Sequence, residues 1–202
     1  MILVTGGLGF IGSHTVVSLQ EKGHEVLIVD DLSNATIEVL DGIEAASGTR
    51  PKLEVLNLQD SVGVAEIFQA YNITGIIHFA AAKAVGESVQ KPIAYYQNNL
   101  GSLLNLLAEI EKSHKPIPFI FSSSCTVYGE AETLPITERA PIQPAMSPYG
   151  NTKQVGEEIL ADTVNALEGF RVISLRYFNP IGAHASNAIG ELPLGKPQNL
   201  VP

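Results

Sequence analysis

The sequence predicts an α/β fold, a doubly wound parallel sheet, and three observations carry that prediction. Short β-branched runs alternate with longer helical segments from residue 1 to residue 177. Several of these runs are apolar on consecutive residues, the pattern of parallel strands buried on both faces. The first run leads directly into a glycine-rich turn and then a helix, the order in which such sheets begin.

Each element follows in turn. Met1–Thr5 reads as the first strand, followed by a helix over about Phe10–Lys22 that Gly23 closes as a left-handed cap. Glu25–Asp30 and Leu53–Leu58 are the second and third strands, with a helix over Val62–Tyr71. Gly75–Phe79 is the fourth strand, Pro92–Lys112 a long helix and Phe119–Ser122 the fifth strand. Ser147 caps a helix over Pro148–Leu167, Pro148 takes the favoured first position, and Gly169 fits a left-handed cap before a sixth strand, Arg171–Arg176. The alternation defines a Rossmann-type sheet with helices on both faces. After Tyr177 the pattern stops. Asn179–Pro202 is rich in Gly, Pro and Asn, and so long a tail without period is expected to be a cut end.

Of the 202 residues, 45% are hydrophobic and 16% charged, which excludes a disordered chain. The net charge of −9 argues against nucleic acid or an anionic membrane as the main partner. No stretch reaches the roughly 18 apolar residues that a spanning helix needs. Cys125 is the single cysteine, so no internal disulfide forms; with no signal peptide, a cytoplasmic protein is expected. The sequons at Asn34 and Asn72 then read as chance. Five histidines (His14, His24, His78, His114 and His184) show no paired ligand spacing, so no metal is expected. His78, on a buried strand, reads as a core histidine.

The glycine turn, Gly6-Gly7-Leu8-Gly9-Phe10-Ile11-Gly12, carries the first chemistry. Gly6 permits a tight exit from the strand, Gly9 lets backbone approach a pyrophosphate, and Gly12 lets the helix pack close to the strand. The N–H groups that open the helix then face phosphate, aided by the helix dipole. The second strand ends on Asp30-Asp31, about 20 residues on, where a carboxylate meets an adenosine ribose and repels a 2′-phosphate. No Arg or Lys follows closely enough to welcome that phosphate, so the expected cofactor is NAD rather than NADP. Asp30 and Asp31 also suit the opening of the Asp-Leu-Ser-Asn turn.

A second constellation follows the fifth strand. Ser122-Ser123-Ser124 is followed by Tyr149 and Lys153, four apart and therefore on one helical face. A free tyrosine has a pKa of about 10, so a nearby ammonium is needed to populate phenolate at neutral pH. Such a phenolate can remove a hydroxyl proton while the carbon loses hydride to a nicotinamide, and Lys153 can also hold the nicotinamide ribose. The serine run lacks the Gly-x-Ser-x-Gly elbow of hydrolases.

The glycine pattern, Tyr-x-x-x-Lys and the upstream serine resemble the extended short-chain dehydrogenase/reductase family. The segments Thr5–Thr15, His78–Val89, Phe121–Gly129 and Leu175–Ala183 further resemble its nucleotide-sugar 4-epimerases. The resemblance spans the chain and implies Ser124 near the sugar 4-hydroxyl, Tyr149 as base and Lys153 as its electrostatic partner. It implies that Phe10, Ile11, Asn57 and Leu58 line the dinucleotide with the glycines, that Phe79, Ala80 and Lys83 line the nicotinamide side, and that Asn98 and Tyr177 support the cofactor. Lys83, Phe178, Asn179, Asn199 and Leu200 join Ser124 and Tyr149 at the substrate, expected to be UDP-glucose or UDP-galactose.

The resemblance also implies residues 1–178 as an NAD-binding domain and 179–202 as the truncated start of a substrate-binding domain, so weak or no activity is expected of this chain alone. A homodimer through a four-helix bundle is implied, and Leu103, Leu104, Leu107, Ile110, Val155 and Ile159 supply more apolar surface than one helix face needs. Three departures stand out. Asn57 replaces a usual acid, Cys125 a usual alanine, and Asn98-Asn99-Leu100-Gly101-Ser102 the usual Asn-Val-x-Gly-Thr. Two alternatives remain. A nucleotide-sugar 4,6-dehydratase is disfavoured because Cys125-Thr126 stands where an Asp-Glu pair belongs. A non-catalytic NAD-binding or dimerisation module is the other.

Overall fold

The structure is a computed structural model that describes residues 1–193. Its strands are β1 (Ile2–Thr5), β2 (Val26–Asp30), β3 (Lys52–Val55), β4 (Gly75–His78), β5 (Phe119–Ser124) and β6 (Val172–Tyr177). Its helices are α1 (Phe10–Glu21), α2 (Val39–Ser47), α3 (Ser61–Ala70), α4 (Val85–Gln90), α5 (Pro92–Ser113) and α6 (Pro148–Ala166). A 3₁₀ turn, Cys125–Tyr128, follows β5. All pairings are parallel, in the order β3-β2-β1-β4-β5-β6. The order reverses between β1 and β4, and a crevice therefore opens at the carboxyl ends of those two strands.

Strand alternation sorts the core into two layers. Leu3, Leu27, Ile76 and Phe119 face one way and pack with Leu103 and Ile110 of α5 and Leu160 of α6. Val4, Ile28 and Ile77 face the other way, toward Val16 of α1 and Ile43 of α2. The consecutive apolar runs are thus strands covered on both faces, as expected.

Several boundaries differ from expectation. The third strand stops at Val55 and gives way to a turn closed by Asp60 N–H to Asn57 O at 2.9 Å. Asp60 then accepts from the N–H groups of Val62 (3.1 Å) and Gly63 (3.2 Å) and starts α3 at Ser61. Strand β5 extends to Ser124, held by pairing of Ser124 with Tyr177. Two helices were not legible: α2, which buries only Leu40 and Ile43, and the six-residue α4. Gly23 has φ +80° directly after the α1 cap, as expected. Gly169 does not cap α6. Leu167 does so in extended conformation, and Gly169, at φ +75°, lies inside a turn closed by Phe170 N–H to Leu167 O.

Beyond β6, residues 179–193 form neither helix nor strand, yet they are docked. Ile189, 5% exposed, joins the buried cluster on the α1–α2 side. A Cβ placed on Gly42 of α2 would run into the Ala188 carbonyl, so this backbone lies directly on the helix. The segment leaves β6 and reaches the far side of β1, which takes it across the carboxyl edge of the sheet.

Candidate active site

The glycine turn joins β1 to α1 at the crevice. Gly6 adopts φ +65°, and a Cβ there would lie 2.7 Å from Ala80 N, so side chain and backbone both favour glycine. A Cβ on Gly12 would penetrate the Gly6 carbonyl and lie 2.8 Å from Gly7 Cα, which is why α1 can pack so close to the strand. Gly9 differs. A Cβ there would meet only Gly6 O, at 3.3 Å, so the space over it is open. Gly9 N-caps α1 with no side chain to occupy the free N–H groups that Phe10, Ile11 and Gly12 bring to the helix start.

Asp30 ties this loop to β2. Its Oδ2 accepts from Leu8 N–H at 3.1 Å and its Oδ1 from Leu32 N–H at 3.0 Å. Burial raises its pKa above the ordinary carboxylate value, against the lowering by these two bonds, and the neighbouring Asp31 charge adds to the rise. Asp31 accepts from Ser33 N–H (3.0 Å) and from the side-chain amide of Asn57 (3.1 Å). That contact accounts for one departure: an acid at 57 would set a second carboxylate against Asp31. Leu58, 5% exposed, follows.

Across the crevice, the chain leaving β4 is bonded to β1. Phe79 N–H donates to Thr5 O (3.0 Å) and Ala80 N–H to Thr5 Oγ1 (3.3 Å). His78 Nδ1 shares a 2.7 Å bond with the same hydroxyl. Burial, with a smaller push from the Lys153 charge, lowers the His78 pKa to about 3, so it is a neutral core residue. Lys83 lies further along, with Nζ 3.7 Å from Glu191 of the docked segment. Asn98 accepts from Gln59 Nε2 at 3.3 Å and donates to Asn99 Oδ1 at 3.0 Å.

Ser124 ends β5, and Tyr149 stands in the first turn of α6, which Ser147 caps by accepting from Gly150 N–H at 3.1 Å. Burial raises the Tyr149 phenol above its ordinary value, while a hydrogen bond from Ser124 pulls it down. Lys153 is 4% exposed, and burial depresses its ammonium to about 8. Its Nζ donates to Ser122 O at 2.7 Å and lies 5.0 Å from the Phe121 ring and 5.8 Å from the Tyr149 ring. Serine, phenol and ammonium therefore converge beside the cradle. Tyr177 is partly buried, and Phe178 stacks on Tyr128 at 6.5 Å. Asn179 is exposed, and Asn199 and Leu200 lie outside the described residues.

Two features escaped sequence reasoning. Glu157, one turn after Lys153, accepts from Arg176 (2.6 and 2.9 Å) and from Ser123 Oγ (2.5 Å) and so binds α6 to the ends of β5 and β6. Asn99 lies buried on the core face of α5 between Tyr95 and Ser102. A polar residue on an apolar helix face is a readable signal, and here it marks a junction of three elements. Of the apolar residues read as a surplus, Leu103, Leu107 and Ile110 are core residues, Val155 and Ile159 are partly buried, and Leu104 is 49% exposed. Among the described residues no group of three or more His, Cys, Asp or Glu could hold a metal ion, and no helix is long and apolar enough to cross a membrane.

The strand order, the glycine turn at the switch point and the Tyr-x-x-x-Lys helix define a short-chain dehydrogenase/reductase type of fold. A model of the NAD dependent epimerase/dehydratase family matches residues 2–193, and the chain belongs to that family. It is 48% identical over 201 residues to the UDP-glucose 4-epimerase of Erwinia amylovora, covering 100% of this chain and 59% of that protein. Against the UDP-glucose 4-epimerase of Dictyostelium discoideum it is 46% identical over 201 residues, covering 100% of this chain and 58% of the relative. The crystal structure of the Bifidobacterium longum UDP-glucose 4-epimerase, in complex with NAD+ and UDP, superposes with a TM-score of 0.95 at 45% identity, over 98% of this chain and 59% of that one. The chain thus spans about three fifths of the length of these relatives.

Proposed function

We propose that this chain is the NAD-binding part of a UDP-hexose 4-epimerase that interconverts UDP-glucose and UDP-galactose through a transient 4-keto sugar. The observation that carries the reading is the convergence of Ser124, Tyr149 and Lys153 beside the open cradle over Gly9. The cradle fits a dinucleotide: it has room where a pyrophosphate would lie, an uncapped helix start, and a carboxylate, Asp30, at the end of β2. Gly6, Gly9, Phe10, Ile11 and Gly12 would hold the phosphates, Asp30 and Asp31 the ribose, and Asn57 and Leu58 the adenine. Phe79, Ala80, Lys83, Asn98, Lys153 and Tyr177 would line the nicotinamide end. Bound NAD supplies a reversible hydride acceptor for the sugar C4.

The chain's own residues handle the proton. Tyr149 takes it from the sugar 4-hydroxyl and returns it after the keto sugar has turned over, with Ser124 placing the hydroxyl and Lys153 favouring phenolate. Phe178 and Asn179 would meet the nucleotide-sugar. A 4,6-dehydratase would require an acid and a base after the strand-end serine, and Cys125-Thr126 supply neither. We further propose a cytoplasmic homodimer and a division at residue 178 between cofactor and substrate domains. Calorimetry tests the cofactor: NAD(H) binds more tightly than NADP(H), and equal or tighter NADP(H) binding overturns the ribose assignment. Light scattering tests assembly, where a clean monomer at micromolar concentration overturns the dimer.

A further inference from the structure

We infer that Glu157 is a positioning residue that fixes α6 lengthwise against the ends of β5 and β6 and so keeps Tyr149 opposite Ser124; this rests on the roles proposed for those two residues above. Helix α6 lies very close to the sheet. A Cβ on Gly156 would come within 2.8 Å of the Phe121 ring, and one on Gly150 within 3.3 Å of Thr126 Cβ. These contacts set how near the helix lies. Van der Waals attraction has no direction, however, and a glycine has no side chain to catch on a neighbour, so the position along the helix axis needs directional bonds.

The end of β5 supplies them. Its three consecutive serines each reach α6: Ser122 through its carbonyl to Lys153 (2.7 Å), Ser123 through its hydroxyl to Glu157 (2.5 Å) and Ser124 to the Tyr149 phenol. Tyr149, Lys153 and Glu157 are four apart and form one stripe on the helix. Lys153 reaches its carbonyl on a long flexible stem. Glu157 is the anchored member. Ser123 and Arg176 are register partners on adjacent strands and so face the same side of the sheet. Both Glu157 oxygens are engaged there: Oε1 by Ser123 Oγ and by Arg176 Nε at 2.9 Å, Oε2 by Arg176 Nη2 at 2.6 Å. The guanidinium is itself pinned, 4.8 Å over the ring of Tyr128, which is 3% exposed. A carboxylate gripped by a planar fork and a strand hydroxyl cannot slide without giving up bonds to two strands. Ser123 is 2% exposed and the Glu157 side chain 12%, so water replaces those bonds poorly. Glu157 stands two turns beyond Tyr149, about 12 Å along the axis, and therefore acts through the placement of the helix.

The experiment follows the Tyr149 phenol in the NAD-saturated 202-residue chain, by tyrosinate absorbance of each variant against the same variant carrying Tyr149→Phe. Ser124→Ala comes first and should raise the titration by about half a pH unit or more, the worth of one hydrogen bond. Ser123→Ala removes the strand hydroxyl and leaves the Glu157–Arg176 pair whole, so it should fold. It is expected to raise the phenol by about 0.3 pH unit or more, and to add nothing in the Ser124→Ala background. Glu157→Gln should also raise the phenol. That sign is informative, because loss of a negative charge alone would lower it. Leu160→Ala, a core truncation further along α6, controls for general loosening. An unmoved phenol in Ser123→Ala, or a shift as large without Ser124 as with it, overturns the inference. So does a lowered phenol in Glu157→Gln or an equal shift in Leu160→Ala. A titration indifferent to Ser124→Ala overturns instead the contact of Ser124 with Tyr149, and a chain that does not bind NAD overturns the dinucleotide reading; the inference falls with either.

Discussion

Lys153 donates to the Ser122 carbonyl at 2.7 Å, so the ammonium that should favour a phenolate is hydrogen-bonded to backbone rather than to Tyr149. Burial meanwhile raises the phenol and lowers the ammonium. Both shifts oppose charge in a dry site, and the phenol of the protein without cofactor is therefore protonated at neutral pH. The positive nicotinamide of NAD would add the missing charge. Tyrosinate absorbance, taken as the difference between wild type and Tyr149→Phe, should titrate above the ordinary tyrosine value without cofactor and move down when NAD is added. A phenol already ionised near neutrality without NAD would show that Lys153 alone suffices.

Gly12 and Gly9 should fail in different ways. Gly12→Ala drives a methyl into the Gly6 backbone, which cannot swing aside, and is expected to destabilise the chain by about 1–3 kcal/mol in thermal or urea unfolding. Gly9 has φ −71° and open space above it, so Gly9→Val should fold normally and lose NAD affinity through obstruction of the pyrophosphate. A Gly9→Val chain with wild-type affinity would remove the phosphate from this turn.

Two buried groups give stability a pH dependence. His78 has a folded pKa of about 3 against an ordinary 6.5. As pH falls below 6.5, the unfolded chain takes up a proton that the native state refuses, and stability declines by up to about 1.4 kcal/mol per pH unit until pH 3. Lys153, at about 8 against 10.5, is protonated in both states below pH 8, where its burial penalty is complete; stability from this group rises between pH 8 and 10.5. Urea unfolding across these windows checks both, with His78→Phe and Lys153→Met flattening the acid and alkaline limbs respectively. An acid limb unchanged in His78→Phe would assign it to carboxylates instead.

Much of this was legible in sequence because it rests on local rules. β-branched runs, the glycine turn and the Ser147-Pro148 start each report on their own few residues, and the structure places them close to expectation. Tyr149 and Lys153 share a helix, so spacing alone sets them near each other. What failed depends on distant neighbours. Helix α2 is held by two buried residues and by contact with Ala188, some 145 positions away in sequence, so no period announced it. The docking of Ile189 was hidden because residues 179–193 have no secondary structure to give them a pattern. Leu103, Leu107 and Ile110 are buried because α5 packs on both α3 and α6, so its buried face is wide, while Leu104 remains exposed.

The last prediction concerns turnover. Ser124, Tyr149 and Lys153 all stand on described elements, but Asn179 is exposed and the chain spans 59% of the Erwinia amylovora relative. Binding energy from remote parts of a substrate positions its reacting atoms, so a weakly held uridine lowers turnover as well as affinity. The 202-residue chain is therefore expected to bind NAD yet convert UDP-galactose to UDP-glucose weakly or not at all. Fused to the segment that completes the Erwinia amylovora relative, it should gain turnover, and Tyr149→Phe in that fusion should remove about a hundredfold or more. Brisk conversion by the 202-residue chain alone would show that the uridine end has been overrated. A fusion whose conversion is indifferent to Tyr149→Phe would instead take the proton transfer away from Tyr149 and return it to another group in the crevice.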